Sequence, residues 1–368
     1  MPKYKAPFPW FGGKSRVAHI VWALLGDVNH YLEPFFGSGA VLFLRPEDHK
    51  NYLETVNDKD MLIANFWRAV QKAPDEVAYY ADYPVNEADL TARHIWLVKY
   101  GIPELESRLQ ADPEYFDAKI AGWWVWGISQ WIGSGWCSGN GCWTEEDGRL
   151  VKIKSNNSVY KKVPQIGKSD KGVLSVGVSK KSPYISKTNM GITKFAVHRV
   201  RPHISNHGTG VSNVEDIYEY MNKLSERLRR VRVICGDWSR LVTKGALSCS
   251  GIKGIFLDPP YSKSGRDDDL YRNDEDVSKA VNQWCVKNGD NPEYRIVLCG
   301  YEGEHNNLEE LGWKKIAWTG VRAYGNSKNK TQNAENRYKE RIWYNQSCLT
   351  LENQSVERSN EDEDSEED

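Results

Sequence analysis

The 368-residue chain has little of what marks secreted, stapled or membrane-bound proteins. No apolar run is long enough to span a bilayer, which excludes a transmembrane helix. The N-terminal MPKYKAPFPW is aromatic and Pro-rich rather than charged and then apolar, so no secretory leader is expected and the default location is the cytoplasm. Seven cysteines, at 137, 142, 235, 249, 285, 299 and 348, are odd in number and scattered, which suits reduced thiols rather than a disulfide framework. Cys137, Cys142 and the histidines at 198, 203 and 207 lack the paired C-x-x-C and H-x-x-x-H spacing of strong zinc sites, so no metal is expected. The full G-x-G-x-x-G fingerprint is missing, which disfavours a nicotinamide or flavin dinucleotide. No repeat of fixed period is evident.

Acidic residues are scarce in one long stretch. Residues 149–210 hold thirteen Lys or Arg against the single Asp170, in a Gly/Ser/Asn-rich context. Such a segment is either a solvated basic loop or a surface for a polyanion. Residues 352–368 carry a net charge of −8 and end in SNEDEDSEED, which has nothing apolar to bury and is expected to be disordered. The overall net charge of −1 therefore conceals a body of +7.

The first 72 residues read as alternating elements: SRVAHIVWALL as helix, HYLEPF as strand, NYLETV as strand and MLIANFWRAVQK as helix. Residues 73 to about 130 look helical and aromatic, with Trp123, Trp124, Trp126 and Trp131 expected in a core or seam rather than as a base-stacking platform. Residues 132–210 give little regular structure. The pattern resumes with VEDIYEYMNKLSERLRR, whose Ile217, Met221, Leu224 and Leu228 share a helical face, and with strands in VRVICGDW, GIFLDPPY, RIVLCGYE, WKKIAWTG and RYKERIWYN. The expected fold is α/β, a doubly wound Rossmann-like sheet built from residues 1–72 and 211–351, with residues 73–210 inserted as a second domain and 352–368 as a tail.

Four motifs carry chemistry. In FLDPPYSKS the apolar run must stop at Asp258, because Pro259 cannot continue a sheet ladder, and the paired prolines fix the Asp258 carboxylate and the Pro259 carbonyl at the strand's end. Tyr261 presents a flat ring beside them. In HYLEPFFGSGAVLF a strand and an acid precede Gly37, Ser38 and Gly39, which are expected to open onto an apolar helix and to let backbone approach a nucleoside. Asp58, after the second strand, either accepts hydrogen bonds from a ribose diol or caps the helix that follows. PWFGGK places Trp10 and Lys14 just before the first helix.

Taken together and in this order, FPWFGGK, YLEPFFGSGAVLF, VND and LDPPY closely resemble the Dam-like (D12 class) adenine-specific DNA methyltransferases. CGDW at 235–238, VLCGYEGEH at 297–305 and ENRYKERIW at 335–343 extend the likeness, the later segments being most like phage and prophage versions. The resemblance implies S-adenosylmethionine as cofactor, contacted by Trp10 and Lys14, cradled by Glu33 and the loop from Phe35 through Gly37 to Gly39, and held at its ribose by Asp58, with Asp237 near its adenine. It implies that Asp258, Pro259, Pro260 and Tyr261 form the catalytic signature, with Asp258 also at the cofactor. Double-stranded DNA is the implied partner, in the bacterial host cytoplasm if the chain is phage-encoded. Residues 73–210, where the family keeps its target-recognition domain, do not match its familiar members. It is the charge of the basic insert that makes residues such as Lys161, Lys162, Lys180 and Lys181 the expected DNA contacts. No protein partner is implied, and a cognate restriction endonuclease is left open. Methylation of cytosine's exocyclic amine and a catalytically silent DNA-binding relative are the competing readings; Asp rather than Ser at 258 favours adenine.

Overall fold

The computed structural model describes residues 4, 6–8, 10, 13–46, 53–131, 136–138, 143–147, 149–152, 217–261, 277–318 and 339–350. Seven of its strands form one sheet: β1 (His30–Glu33), β2 (Leu53–Asp58), β5 (Val231–Cys235), β6 (Lys253–Leu257), β7 (Tyr294–Tyr301), β8 (Lys314–Ala317) and β9 (Glu340–Tyr344). Their order is β5-β2-β1-β6-β7-β9-β8. The first five are parallel neighbours, and β9 runs antiparallel to both β7 and β8. This mixed α/β arrangement, with a mostly parallel sheet, is compatible with a Rossmann-like methyltransferase fold.

Alternation along the strands builds two apolar layers, because successive side chains leave a strand on opposite sides. Tyr31, Phe256, Val297, Cys299 and Ile342 join one core with helices α1 (Ala18–Leu25), α2 (Met61–Lys72) and α7 (Ile217–Leu228). Their neighbours Leu32, Ile255, Leu257, Ile296, Leu298 and Trp343 join a second core with α8 (Val277–Asn288) and the turn around Trp238 and Leu241. The four apolar positions expected on α7 are all buried.

Helices α3 (Pro74–Ala81), α4 (Glu87–Trp96), α5 (Ile102–Arg108) and α6 (Ala118–Gln130) follow α2, and their apolar faces enter the first core. Trp124 and Trp126 are buried there, with the Trp124 ring 4.8 Å from Phe8 and 5.7 Å from Phe66, while Trp123 and Trp131 pack at its margin. The core reading therefore holds for the tryptophans.

Two local expectations need correction. The apolar stretch after Gly39 forms only a single 3-10 turn, Leu42–Leu44, rather than a helix. Pro46 explains this, since a residue preceding proline is driven out of helical geometry and Arg45 is extended. Residues 143–152 form a short antiparallel hairpin, β3 (Trp143–Glu146) and β4 (Arg149–Lys152), where little regular structure was expected. Most of the basic insert, including Lys161, Lys162, Lys180, Lys181, His198, His203 and His207, lies outside the described residues, as do Cys142 and the acidic tail. Among the described residues no helix is long and apolar enough to cross a membrane.

Candidate active site

Strand order reverses between β1 and β6, and in a parallel α/β sheet the crevice beyond the carboxyl ends at such a point receives ligands. Each strand there delivers an acid: Glu33 ends β1, Asp58 ends β2, Asp237 follows β5 and Asp258 follows β6. All four line one cleft, together with Trp10, Lys14, Phe35, Gly37, Trp238 and Pro260.

Local bonding fixes the loops that shape the cleft. The Asn57 side-chain amide donates to the Pro34 and Gly236 carbonyls, both at 3.0 Å, and its backbone carbonyl accepts from the Phe36 N–H, stapling the loops after β1 and β5 to β2. Gly37 adopts φ +50°, a left-handed conformation that favours glycine, and a Cβ there would sit 2.7 Å from Trp10 Cδ1. Its N–H donates to Asp58 Oδ2 at 2.8 Å, while the Asp60 N–H donates to Asp58 Oδ1 at 2.8 Å. Asp60 itself caps α2 by accepting from the Leu62 N–H, so Asp58 is not the helix cap. Phe35 and Trp238 stack at 6.1 Å between ring centres beside Asp237, whose carboxylate caps the short turn at Ser239.

The corner at Asp258 is the most charged part of the cleft. The Lys14 ammonium, at the head of α1, lies 2.8 Å from Asp258 Oδ2 and only 5% of its side chain is exposed. It also faces the rings of Tyr261 and Trp318, at 5.3 and 5.7 Å. A cation at a helix N-terminus opposes the helix dipole, so the ion pair is what makes this position tolerable. The Tyr261 hydroxyl donates to Asp258 Oδ1 at 3.3 Å and reaches Glu340 Oε2 at 3.5 Å, and its ring meets Tyr301 edge-on at 4.5 Å.

Burial dominates the titration of these groups. Desolvation would pull Lys14 down, but Asp258 and then Glu340 outweigh it and hold the ammonium above the ordinary lysine range. Burial pushes the Asp258 carboxyl up, opposed by the Lys14 charge and the Tyr261 hydroxyl. Asp58 is pushed up to about 7 by burial and the nearby Asp60 charge, against the hydrogen bonds from Gly37 and Asp60. Glu33, 2% exposed, is also raised by burial, although the Tyr31 hydroxyl donates to it at 2.9 Å.

Of the residues singled out by sequence, Trp10, Lys14, Glu33, Phe35, Gly37, Asp58, Asp237, Asp258 and Pro260 meet in the cleft wall. Gly39, at φ +71°, lies behind the wall, where a Cβ would be 2.6 Å from Phe43. Pro259 is buried in the corner and Tyr261 stands behind Asp258. Sequence reasoning missed Asn57, Trp238, Tyr301 and Glu340. The motifs VND, CGDW, VLCGYEGEH and ENRYKERIW contain them, but nothing in their spacing separates them from their neighbours.

Residues 10–95 match the family described as D12 class N6 adenine-specific DNA methyltransferase. The likeness to the D12-class methyltransferases spans 86 of the 368 residues. No curated protein matches the chain. The matched span includes Trp10, Lys14, Glu33, the 35–39 loop and Asp58, whereas Asp237 and the Asp258–Tyr261 corner come from beyond it. The fold joins the two parts, and the 2.8 Å contact between Lys14 and Asp258 crosses that boundary.

Proposed function

We propose that this methyltransferase moves a methyl group from S-adenosylmethionine to the exocyclic N6 of adenine in double-stranded DNA, on a base turned out of the duplex, by direct displacement. The observation that carries this reading is Asp258, fixed by Lys14 and Tyr261 at the end of β6 and facing the same cleft as Asp58.

The residues present fit the cofactor. Gly37 lets the Trp10 ring pack directly on the loop backbone, the Asp58 carboxylate can accept from a ribose diol, the Asp237 carboxylate can accept from an adenine amine, and Phe35 with Trp238 supplies a flat apolar wall. Lys14, Trp10 and Glu33 close the side toward β1. S-adenosylmethionine, when bound, supplies an electrophilic methyl group.

The chain's own residues must solve the poor nucleophilicity of an amine whose lone pair is delocalised into the ring. A carboxylate has about four acceptor positions, and Lys14 and Tyr261 occupy two of those on Asp258. The remaining positions, with the Pro259 carbonyl, accept the two amine hydrogens and turn the lone pair out of the ring plane. Pre-set acceptors need no reorganisation as charge develops. A base inside the duplex cannot reach this corner, so it must be flipped, while Tyr261, behind Asp258, holds the carboxylate rather than the base.

The test is transfer of labelled methyl groups to DNA, followed by nucleoside analysis. N6-methyladenine is expected, whereas N4-methylcytosine would establish the cytosine alternative. Asp258→Asn, which keeps the side-chain volume, should lower the rate about a hundredfold or more. Near-wild-type turnover by that variant would sink the mechanism.

A further inference from the structure

Glu340 opens β9 and has no part in the reading above. It is 8% exposed, and the Tyr261 hydroxyl lies 3.5 Å from its Oε2 and 3.3 Å from Asp258 Oδ1. One phenol thus stands between two carboxylates. It can donate its single proton to one of them while accepting a proton from the other.

We propose that Glu340 is a positioning residue for methyl transfer, receiving through the Tyr261 hydroxyl the proton that the target amine gives to Asp258. The inference rests on the adenine-methylation reading of the same site. As N6 bonds to the incoming methyl carbon, the pair of the breaking S–C bond stays on sulfur. One N–H proton passes to Asp258, and its bonding pair remains on N6 and neutralises it. Asp258 returns a proton to the Tyr261 oxygen as the phenol proton moves to Glu340. Tyr261 ends neutral, Asp258 ends as the carboxylate, and Glu340 holds the proton until solvent removes it.

The surroundings suit this role. Glu340 is faced by Lys14 at the head of α1, by Asp258 and Tyr261 after β6, and by Cys299 and its register partner Tyr301 on β7, with Glu33 beyond them on β1. Its neighbour Arg341 is engaged by Glu302, and Lys14 is already held by Asp258. Burial, the largest influence, raises the Glu340 carboxyl, and the Asp258 charge raises it further against the pull of Lys14 and Tyr261. A raised acceptor holds a relayed proton better than an ordinary glutamate would. Tyr301, edge-on to Tyr261, fixes the ring that the relay crosses.

Single-turnover methyl transfer, which excludes product release, should fall about tenfold to a hundredfold in Glu340→Gln. KM for DNA and cofactor affinity should stay at wild-type values. The wild-type rate should drop as pH falls through the raised Glu340 value, and this acid limb should be lost in the variant, because a neutral amide has no proton to take up. Tyr261→Phe keeps the ring and should lose a similar factor, with the double variant no slower than the slower single one. Infrared titration of the ligand-free protein gives a second readout. A carboxyl band titrating above the ordinary glutamate range should vanish in Glu340→Gln and shift upward in Tyr261→Phe, which has lost the hydroxyl that favours the anion. Wild-type rate and acid limb in Glu340→Gln would overturn the relay. So would an unmoved band in Tyr261→Phe, which decides the matter should the glutamine variant fail to fold. If the wild type itself transfers no methyl to adenine, the functional reading falls and takes the relay's proton source with it. Wild-type activity with an unaffected variant overturns the relay alone.

Discussion

Asp258 and Asp58 are both half-buried acids at strand ends, yet their neighbours give them different work. Asp258 is held by an ammonium, so changing it to Ala would strand Lys14 as a buried cation and cost about 3 kcal/mol of stability besides the chemistry. Asparagine also lacks the counter-charge but keeps the volume and an acceptor oxygen for Lys14, which makes it the more informative substitution, and the Ala variant should show the lower urea midpoint. Asp58 has backbone donors and no cation partner among the described hydrogen bonds and ion pairs, and its value near 7 makes it sensitive in the neutral range. From about 3.8 to about 7 an unfolded Asp58 has released its proton while the folded one has not, so this group increasingly favours unfolding as pH rises through that window. A ribose diol donates to the anion and opposes that trend. Cofactor affinity should rise with pH and level off above about 7, with protons released on binding below it. Calorimetry in buffers of differing ionisation enthalpy measures both. Asp58→Asn should bind about tenfold more weakly, with no such pH dependence. Unchanged affinity would remove Asp58 from the cofactor site.

Elements were legible in the sequence where apolar periodicity and a hard stop coincided. MLIANFWRAVQK is α2 from end to end, and the run before Asp258 ends where Pro259 demands it. The stretch after Gly39 misled because its apolar run is helical in composition, while the stop at Pro46 lies too close for a full helix. Asn57, Asp60 and Glu340 were illegible for another reason. Their roles come from partners distant in sequence or from a two-residue offset at a helix start, and no periodicity encodes either. Two predictions belong at this scale. Gly37→Ala must adopt φ +50° and press its Cβ on the Trp10 ring, so it should cost about 1–3 kcal/mol, change tryptophan fluorescence and weaken cofactor binding. Arg227 on α7 forks onto Glu54 of β2 at 2.6 and 2.7 Å and donates to the Leu42 carbonyl at 3.2 Å. Glu54 is 2% exposed, and its other partner Arg45 is at the longer distance of 3.4 Å. Arg227→Ala should therefore destabilise the protein by about 3 kcal/mol in urea titration, showing that the first helix after the insert is locked onto the strands before it.

Across the whole molecule, charge separates by sequence region. The described helices from α3 to α6 and their connections are mostly acidic outside, with Asp75, Glu76, Glu87, Glu104, Glu106 and Glu114 among them, which leaves them poorly suited to a phosphate backbone. The thirteen cationic residues of 149–210 enter the chain between the half that carries Asp58 and the half that carries Asp258. We infer that this segment supplies much of the DNA affinity, since it concentrates cationic side chains with a single acid among them. Each phosphate contact releases a condensed counterion, so log affinity falls against log salt with a slope of roughly −0.9 per contact on duplex DNA. Changing Lys161, Lys162, Lys180 and Lys181 together to Ala should flatten that slope by roughly 0.9 for every one of them that touches phosphate. The DNA concentration for half-maximal rate should rise, while calorimetric cofactor affinity stays as it was. Deleting residues 352–368 should leave catalysis intact and at most tighten DNA binding, because a polyanion can only compete with phosphate for the same cations. If the four-Lys variant binds DNA with unaltered affinity and salt slope, the insert is a spacer, and the contacts must be sought on the surface around the cleft mouth.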